Sequence, residues 1–114
     1  MAQKTKTTIK PEVKKEIERY TKNLKKHNLY IKKVVLFGSF AGGEGKKWSD
    51  IDLCVVSPDF KDAWQASEFL WKYRDIKDVR YVIEPIGFPE KDYLCDEGDF
   101  LIQNIKRNGV EMKV

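Results

Sequence analysis

The sequence is poor in residues that staple a fold or bind transition metals: of its 114 residues, two are cysteine and one is histidine. Cys54 and Cys95 lie far apart, without a CxxC spacing and without His27 near either of them. This pattern indicates neither a zinc site nor a disulfide framework. We interpret both cysteines as free thiols in a reducing compartment.

Long apolar segments are also missing. No uninterrupted apolar run exceeds four residues, as in Val34–Phe37, whereas a membrane-spanning helix needs about 20. The lysine-rich N-terminal residues have no apolar core of the kind found in signal peptides. With 41% hydrophobic and 35% charged residues, the chain is expected to form one cytoplasmic domain over residues 1–114, with no membrane contact.

The net charge of +4 conceals an uneven distribution. Residues 1–33 contain 11 lysines and arginines against three glutamates, a surplus of 8, so the remainder of the chain carries −4. Such asymmetry is found in nucleic-acid-binding arms and also in plain solvated helix faces. Only two aromatic residues, Tyr20 and Tyr30, lie among these lysines and could stack on bases, so we favour the solvated face. A nucleic acid partner is not expected, although the asymmetry keeps that alternative open.

Hydrophobic periodicity predicts helices alternating with strands, and therefore an α/β (α+β) fold in which helices flank a small mixed β-sheet. Gly87 and Pro89 are expected to end the third strand, and the motifs that follow the first strand and open the second are expected to share one end of the sheet. The predicted helices cover 8–27, 62–73 and 99–108, and the predicted strands cover 31–37, 51–57 and 79–86, with an edge strand at 110–114.

Two acidic residues open the second predicted strand. Asp50 and Asp52 flank Ile51, so on a strand both carboxylates project from one face, about 6–7 Å apart. They repel each other unless a cation lies between them, and hard oxygen ligands favour Mg²⁺ or Mn²⁺ over zinc. The alternative is a structural pair held by Lys46 or Lys47.

Gly38-Ser39 ends the first strand, and ten residues separate this pair from Asp50. On its own a Gly-Ser pair is an ordinary turn, but glycine also allows close backbone approach to an anion. The whole stretch, LFGSFAGGEGKKWSDIDLCVVS at 36–57, resembles the Gly-Ser…Asp-x-Asp signature of the nucleotidyltransferase superfamily of DNA polymerase beta, and in particular its minimal nucleotidyltransferases. This resemblance implies a polymerase-beta-like palm fold.

The resemblance also implies roles for individual residues. A third carboxylate, matched here by Glu84, completes the catalytic and metal-binding set of Asp50 and Asp52. A charged residue in the apolar segment Val82–Ile86 is unusual in its own right, and Arg80 offers a structural ion pair as the rival explanation. Gly38, Ser39, Lys46 and Lys47 would bind the phosphates of a nucleoside triphosphate, ATP being the expected one.

The implied function is metal-dependent transfer of a nucleoside monophosphate, AMP in the expected case, to an acceptor that the sequence does not identify. Gly42 stands where many relatives have arginine, which predicts weak activity. Minimal nucleotidyltransferases resemble antitoxin-like partners of HEPN-domain proteins in toxin–antitoxin pairs, so a non-catalytic module that masks such a partner is the alternative. The aromatic helix containing Trp64 and Trp71 is either core or a partner surface, and a homo-oligomer also stays open.

Overall fold

A computed structural model describes residues 9–38, 40–41, 50–76, 80–95 and 99–114. The elements follow one another in the order α1 (Pro11–Lys26), β1 (Lys33–Phe37), β2 (Ile51–Ser57), α2 (Ala63–Lys72), β3 (Ile83–Pro89), α3 (Glu90–Leu94), α4 (Phe100–Asn108) and β4 (Val110–Met112). The predicted α/β class is confirmed. In the described ranges no helix is both long and apolar enough to cross a bilayer.

The four strands form one mixed sheet in the order β3-β2-β1-β4. β1 is antiparallel to both β2 and β4, and β3 is parallel to β2. The C-terminal end of β1 therefore lies beside the N-terminal ends of β2 and β3, at one end of the sheet. Phe37 is opposite Asp52, and Asp52 is opposite Glu84. This register places Gly38, which follows β1, and the Asp-x-Asp motif at the same end of the sheet, as predicted.

Helices cover both faces of the sheet because alternate strand residues are apolar on both sides. On one face, α1 and α2 pack over Leu36, Leu53 and Val55. On the other, α3 and α4 pack over Val35, Cys54 and Val56. By this alternation Asp52 and Glu84 project from the second face, at the end of strands whose middle parts are covered.

Helices α1 and α2 are also joined by specific polar contacts. The buried Tyr20 hydroxyl donates to the carbonyl of Leu70 at 2.7 Å, and the Asn23 side chain donates to the carbonyl of Tyr73 at 2.9 Å. α2 is capped by Asp62, whose side chain accepts from the backbone N–H of Gln65. These bonds fix the C-terminal end of α2 against the C-terminal half of α1.

The third strand is displaced from its predicted position. It covers Ile83–Pro89, so Gly87 and Pro89 lie within it and the prediction that they end it is wrong. Among the described strands, β3 pairs only with β2, and proline is tolerated on such an edge strand. Gly87 suits the strand because a Cβ there would overlap Leu70 and Ala66, which lets α2 pack directly onto β3. Helix α3 was not predicted.

Candidate active site

Three carboxylates lie close together at the end of the sheet where β1 ends. Asp50 is exposed and immediately precedes β2, Asp52 is half-buried in β2, and Glu84 is exposed in β3. Asp52 and Glu84 are cross-strand neighbours, and the side chains of Asp50 and Glu84 are hydrogen-bonded. Although Glu84 lies in an apolar segment, its charge is not buried, because the side chain is exposed near the start of the edge strand β3. Its position beside the aspartates is as the resemblance implied.

Gly38 supplies the turn that brings β1 to the carboxylates. Its φ is +79°, in the left-handed region that side-chain-bearing residues rarely adopt. A Cβ at this position would overlap the carboxylate of Asp52. The glycine therefore serves two purposes, because it makes the turn and leaves space for Asp52.

The site concentrates negative charge. Burial and the nearby charge of Asp50 raise the pKa of Asp52 above its usual range. The hydrogen bond to Asp50, together with burial and the charges of both aspartates, raises the pKa of Glu84, while Arg74 acts in the opposite direction. The charge of Asp50 thus disfavours the ionised forms of both Asp52 and Glu84.

The donor set fits a hard divalent cation. All three groups offer only oxygen, and their mutual repulsion is the electrostatic condition that a divalent cation relieves. In the described ranges, no three His, Cys, Asp or Glu side chains already converge as a metal-ligand cluster.

Sequence reasoning missed the residues that flank Glu84 on its outer side. Arg74 donates to the carbonyl of Ile83 at 3.1 Å, and the Trp71 indole donates to the carbonyl of Pro85 at 3.0 Å. The guanidinium of Arg74 lies 4.1 Å from the centroid of the Trp71 ring. A guanidinium and an indole thus contact the backbone carbonyls on either side of Glu84, and the charge of Arg74 acts on its carboxylate. No linear motif signals them, since they come from the end of α2.

The other predicted phosphate-binding residues, Ser39, Lys46 and Lys47, lie outside the described residues, as does Gly42. Of the predicted set, the structure therefore brings together Gly38, Asp50, Asp52 and Glu84.

The aromatic helix α2 divides its side chains between core and surface. Phe69 packs against the core, with its ring 6.2 Å from that of Phe60. Trp64 is 75% exposed and Trp71 is 44% exposed. Phe100, at the start of α4, is 94% exposed. One face of α2 therefore fills the core, as predicted, while Trp64 and Trp71 lie exposed on another.

Comparison with known proteins agrees with this geometry. The sequence profile described as a nucleotidyltransferase domain matches residues 14–112. A protein of Methanocaldococcus jannaschii, provisionally named a protein adenylyltransferase, is 35% identical over 69 residues, which cover 58% of this chain and 79% of that protein. No solved structure matches the chain significantly. Since the profile covers nearly the whole chain and the sheet has the order and mixed direction described above, the chain belongs to the nucleotidyltransferase domain family and has a polymerase-beta-like nucleotidyltransferase fold.

Proposed function

We propose that this protein transfers AMP from ATP to a hydroxyl group of an acceptor protein. The observation that carries the proposal is the meeting of Asp50, Asp52 and Glu84 with the Gly38 turn at one end of the sheet. Family membership supports nucleotidyl transfer in general. The name of the M. jannaschii relative supports AMP as the transferred group and a protein as the acceptor.

The triphosphate would lie on the β1 side of the site. There the backbone of Gly38 approaches the Asp52 carboxylate closely because no Cβ intervenes. Gly38 and Ser39 would bind the β- and γ-phosphates through their backbone N–H groups. Lys46 and Lys47 would supply cationic charge to the departing pyrophosphate.

Asp50, Asp52 and Glu84 would hold Mg²⁺ or Mn²⁺, which when bound supplies positive charge to the triphosphate and makes the acceptor hydroxyl more acidic. Asp52 is well suited to orient such an ion because its carboxylate is half-buried and confined by Gly38. Asp50 and Glu84 are exposed and so remain accessible to substrate.

The acceptor would approach from the β3 side, next to Glu84. Its hydroxyl oxygen forms a bond to the α-phosphorus while the bond from that phosphorus to the bridging oxygen of pyrophosphate breaks. The hydroxyl proton passes to the carboxylate of Glu84. Glu84 must be ionised to accept this proton, and the positive charge that a bound cation would supply favours the ionised form.

The acceptor we favour is a HEPN-domain partner, as the resemblance to minimal nucleotidyltransferases implies. The second candidate function is masking of that partner without chemistry. The observation in its favour is the exposure of Trp64 and Phe100, because aromatic side chains are frequent anchors of protein interfaces.

The two functions separate in one labelling experiment. The purified chain is incubated with Mg²⁺, the product of the adjoining gene and ATP labelled at either the α- or the γ-phosphate. AMP transfer predicts α-label on the acceptor and no γ-label. Glu84→Gln should abolish labelling, whereas Glu68→Gln, on the exposed surface of α2, should not. Transfer of γ-label would contradict nucleotidyl transfer, and tight binding without any label would favour masking.

A further inference from the structure

The two edges of the sheet are finished differently. At the β3 edge, Trp71 and Arg74 donate to the carbonyls of Pro85 and Ile83, and Pro85 has no backbone N–H to offer. Covered carbonyls and proline are devices that prevent a further strand from pairing. The β3 edge is therefore closed to strand addition.

The β4 edge has no such cover among the described residues. β4 pairs with β1 on its inner side, and no described strand pairs with its outer side. Val110 and Met112 are half-buried against the core beneath α1, and Val114, which follows on the same side by alternation, is 45% exposed. This apolar row thus continues the core to an edge where it is incompletely covered.

We propose that the β4 edge binds the β4 edge of a second copy of this chain, antiparallel and centred on Met112. The sequence Val110-Glu111-Met112-Lys113-Val114 is self-complementary in charge and polarity about its central residue. An antiparallel pair related by a two-fold axis sets Val110 against Val114, Met112 against Met112 and Glu111 against Lys113. Every cross-strand pair is then apolar with apolar or acidic with basic, and such pairs stabilise a sheet. A two-fold interface of this kind closes as a dimer with one continuous eight-stranded sheet.

The rival explanation is that a short edge strand with a lysine is itself blunted against pairing. The position of the charges favours the dimer. In the β1–β4 register, Val34 is opposite Met112, so one step further Lys33 would face Lys113 within the same chain. Glu111 forms only a long ion pair with Lys33, 3.7 Å between Oε1 and Nζ, and 62% of the Glu111 side chain is exposed. The Glu111 carboxylate is thus available to Lys113 of a second copy, and Lys113 would face another lysine within its own chain.

Charge reversal tests the register directly. Glu111→Lys and Lys113→Glu each place like charges opposite each other at both symmetric positions, and each should weaken the homodimer about tenfold. The doubly exchanged variant, Glu111→Lys with Lys113→Glu, restores opposite charges and should dimerise as the wild type does. A mixture of the two single variants should form heterodimers in preference to either homodimer. Phe100→Ala, on a different exposed surface, is the control and should leave dimerisation unchanged.

The measurement is sedimentation velocity over a concentration series, with native mass spectrometry of the mixture and circular dichroism of each variant to confirm folding. Concentration-dependent dimerisation that follows this charge pattern supports the proposal. A wild-type chain that stays monomeric throughout the series overturns it. So does a dimer that resists both single variants, or one that Phe100→Ala abolishes. If one single variant does not fold, the other and the doubly exchanged variant still decide between these outcomes.

Discussion

Replacing Gly38 by alanine should damage both the fold and the site. The backbone at this position has φ +79°, and holding an L-residue with a side chain in that region costs about 1–2 kcal/mol. For a domain of this length, each kcal/mol lowers the melting temperature by roughly 3–6 °C. The new Cβ also overlaps the Asp52 carboxylate, so either Asp52 moves or the β1 turn does. We expect a loss of at least about 1 kcal/mol and a larger proportional loss of nucleotidyl transfer.

A double-mutant cycle separates these two effects. In an Asp52→Ala background the carboxylate that the new Cβ meets is absent, so Gly38→Ala should cost only the backbone conformational energy there. The free energies of unfolding of the four proteins are measured by urea denaturation in the presence of a chelator. The stability lost on Gly38→Ala in the wild-type background, minus the stability lost on Gly38→Ala in the Asp52→Ala background, gives the energy of the contact between the new Cβ and the carboxylate. Equal stability and full transfer activity of Gly38→Ala would refute the assignment of this glycine.

Three further predictions concern charge, edge protection and thiol chemistry. Folding raises the pKa of Asp52, so ionised Asp52 lowers the free energy of unfolding above that pKa. Asp50→Asn combined with Asp52→Asn should therefore raise the stability of the metal-free protein at neutral pH. Thermal melts in chelator should show that this gain shrinks as the pH falls. Trp71→Phe removes the hydrogen bond to the β3 edge and should cost about 1 kcal/mol in urea denaturation; no loss would show that this bond is not stabilising. A thiol reagent should label the exposed Cys95 quickly and the buried Cys54 only after unfolding, because burial raises the pKa of Cys54 to about 12. Rapid labelling of both cysteines in the native chain would contradict this prediction.

The sequence was most informative where a periodic pattern continues over a whole element. β2 has the predicted bounds, Ile51–Ser57, because an apolar run between Asp50 and Pro58 has few alternative interpretations. The helices α1, α2 and α4 also lie within a few residues of their predicted ends. The shared position of Gly38 and the Asp-x-Asp motif followed from antiparallel pairing of β1 with β2.

What could not be predicted depends on tertiary contacts. Gly87 and Pro89 look like terminators in sequence, but an edge strand tolerates a missing N–H, and the glycine is required by contact with α2. A five-residue helix such as α3 is too short to show a periodicity. Arg74 comes close to Glu84 only because the end of α2 is held against β3, a contact between elements that no local pattern encodes.

The most direct test of the central claim is transfer of α-labelled AMP by the Asp50→Asn, Asp52→Asn double variant, measured beside its binding to the partner. Removal of both charges leaves the side-chain shapes and the surface of α2 unchanged, so folding and partner binding should be retained. Transfer should be lost, because these two carboxylates are the groups proposed to hold the cation at the triphosphate. Retained label transfer by the folded double variant would contradict the proposed active site.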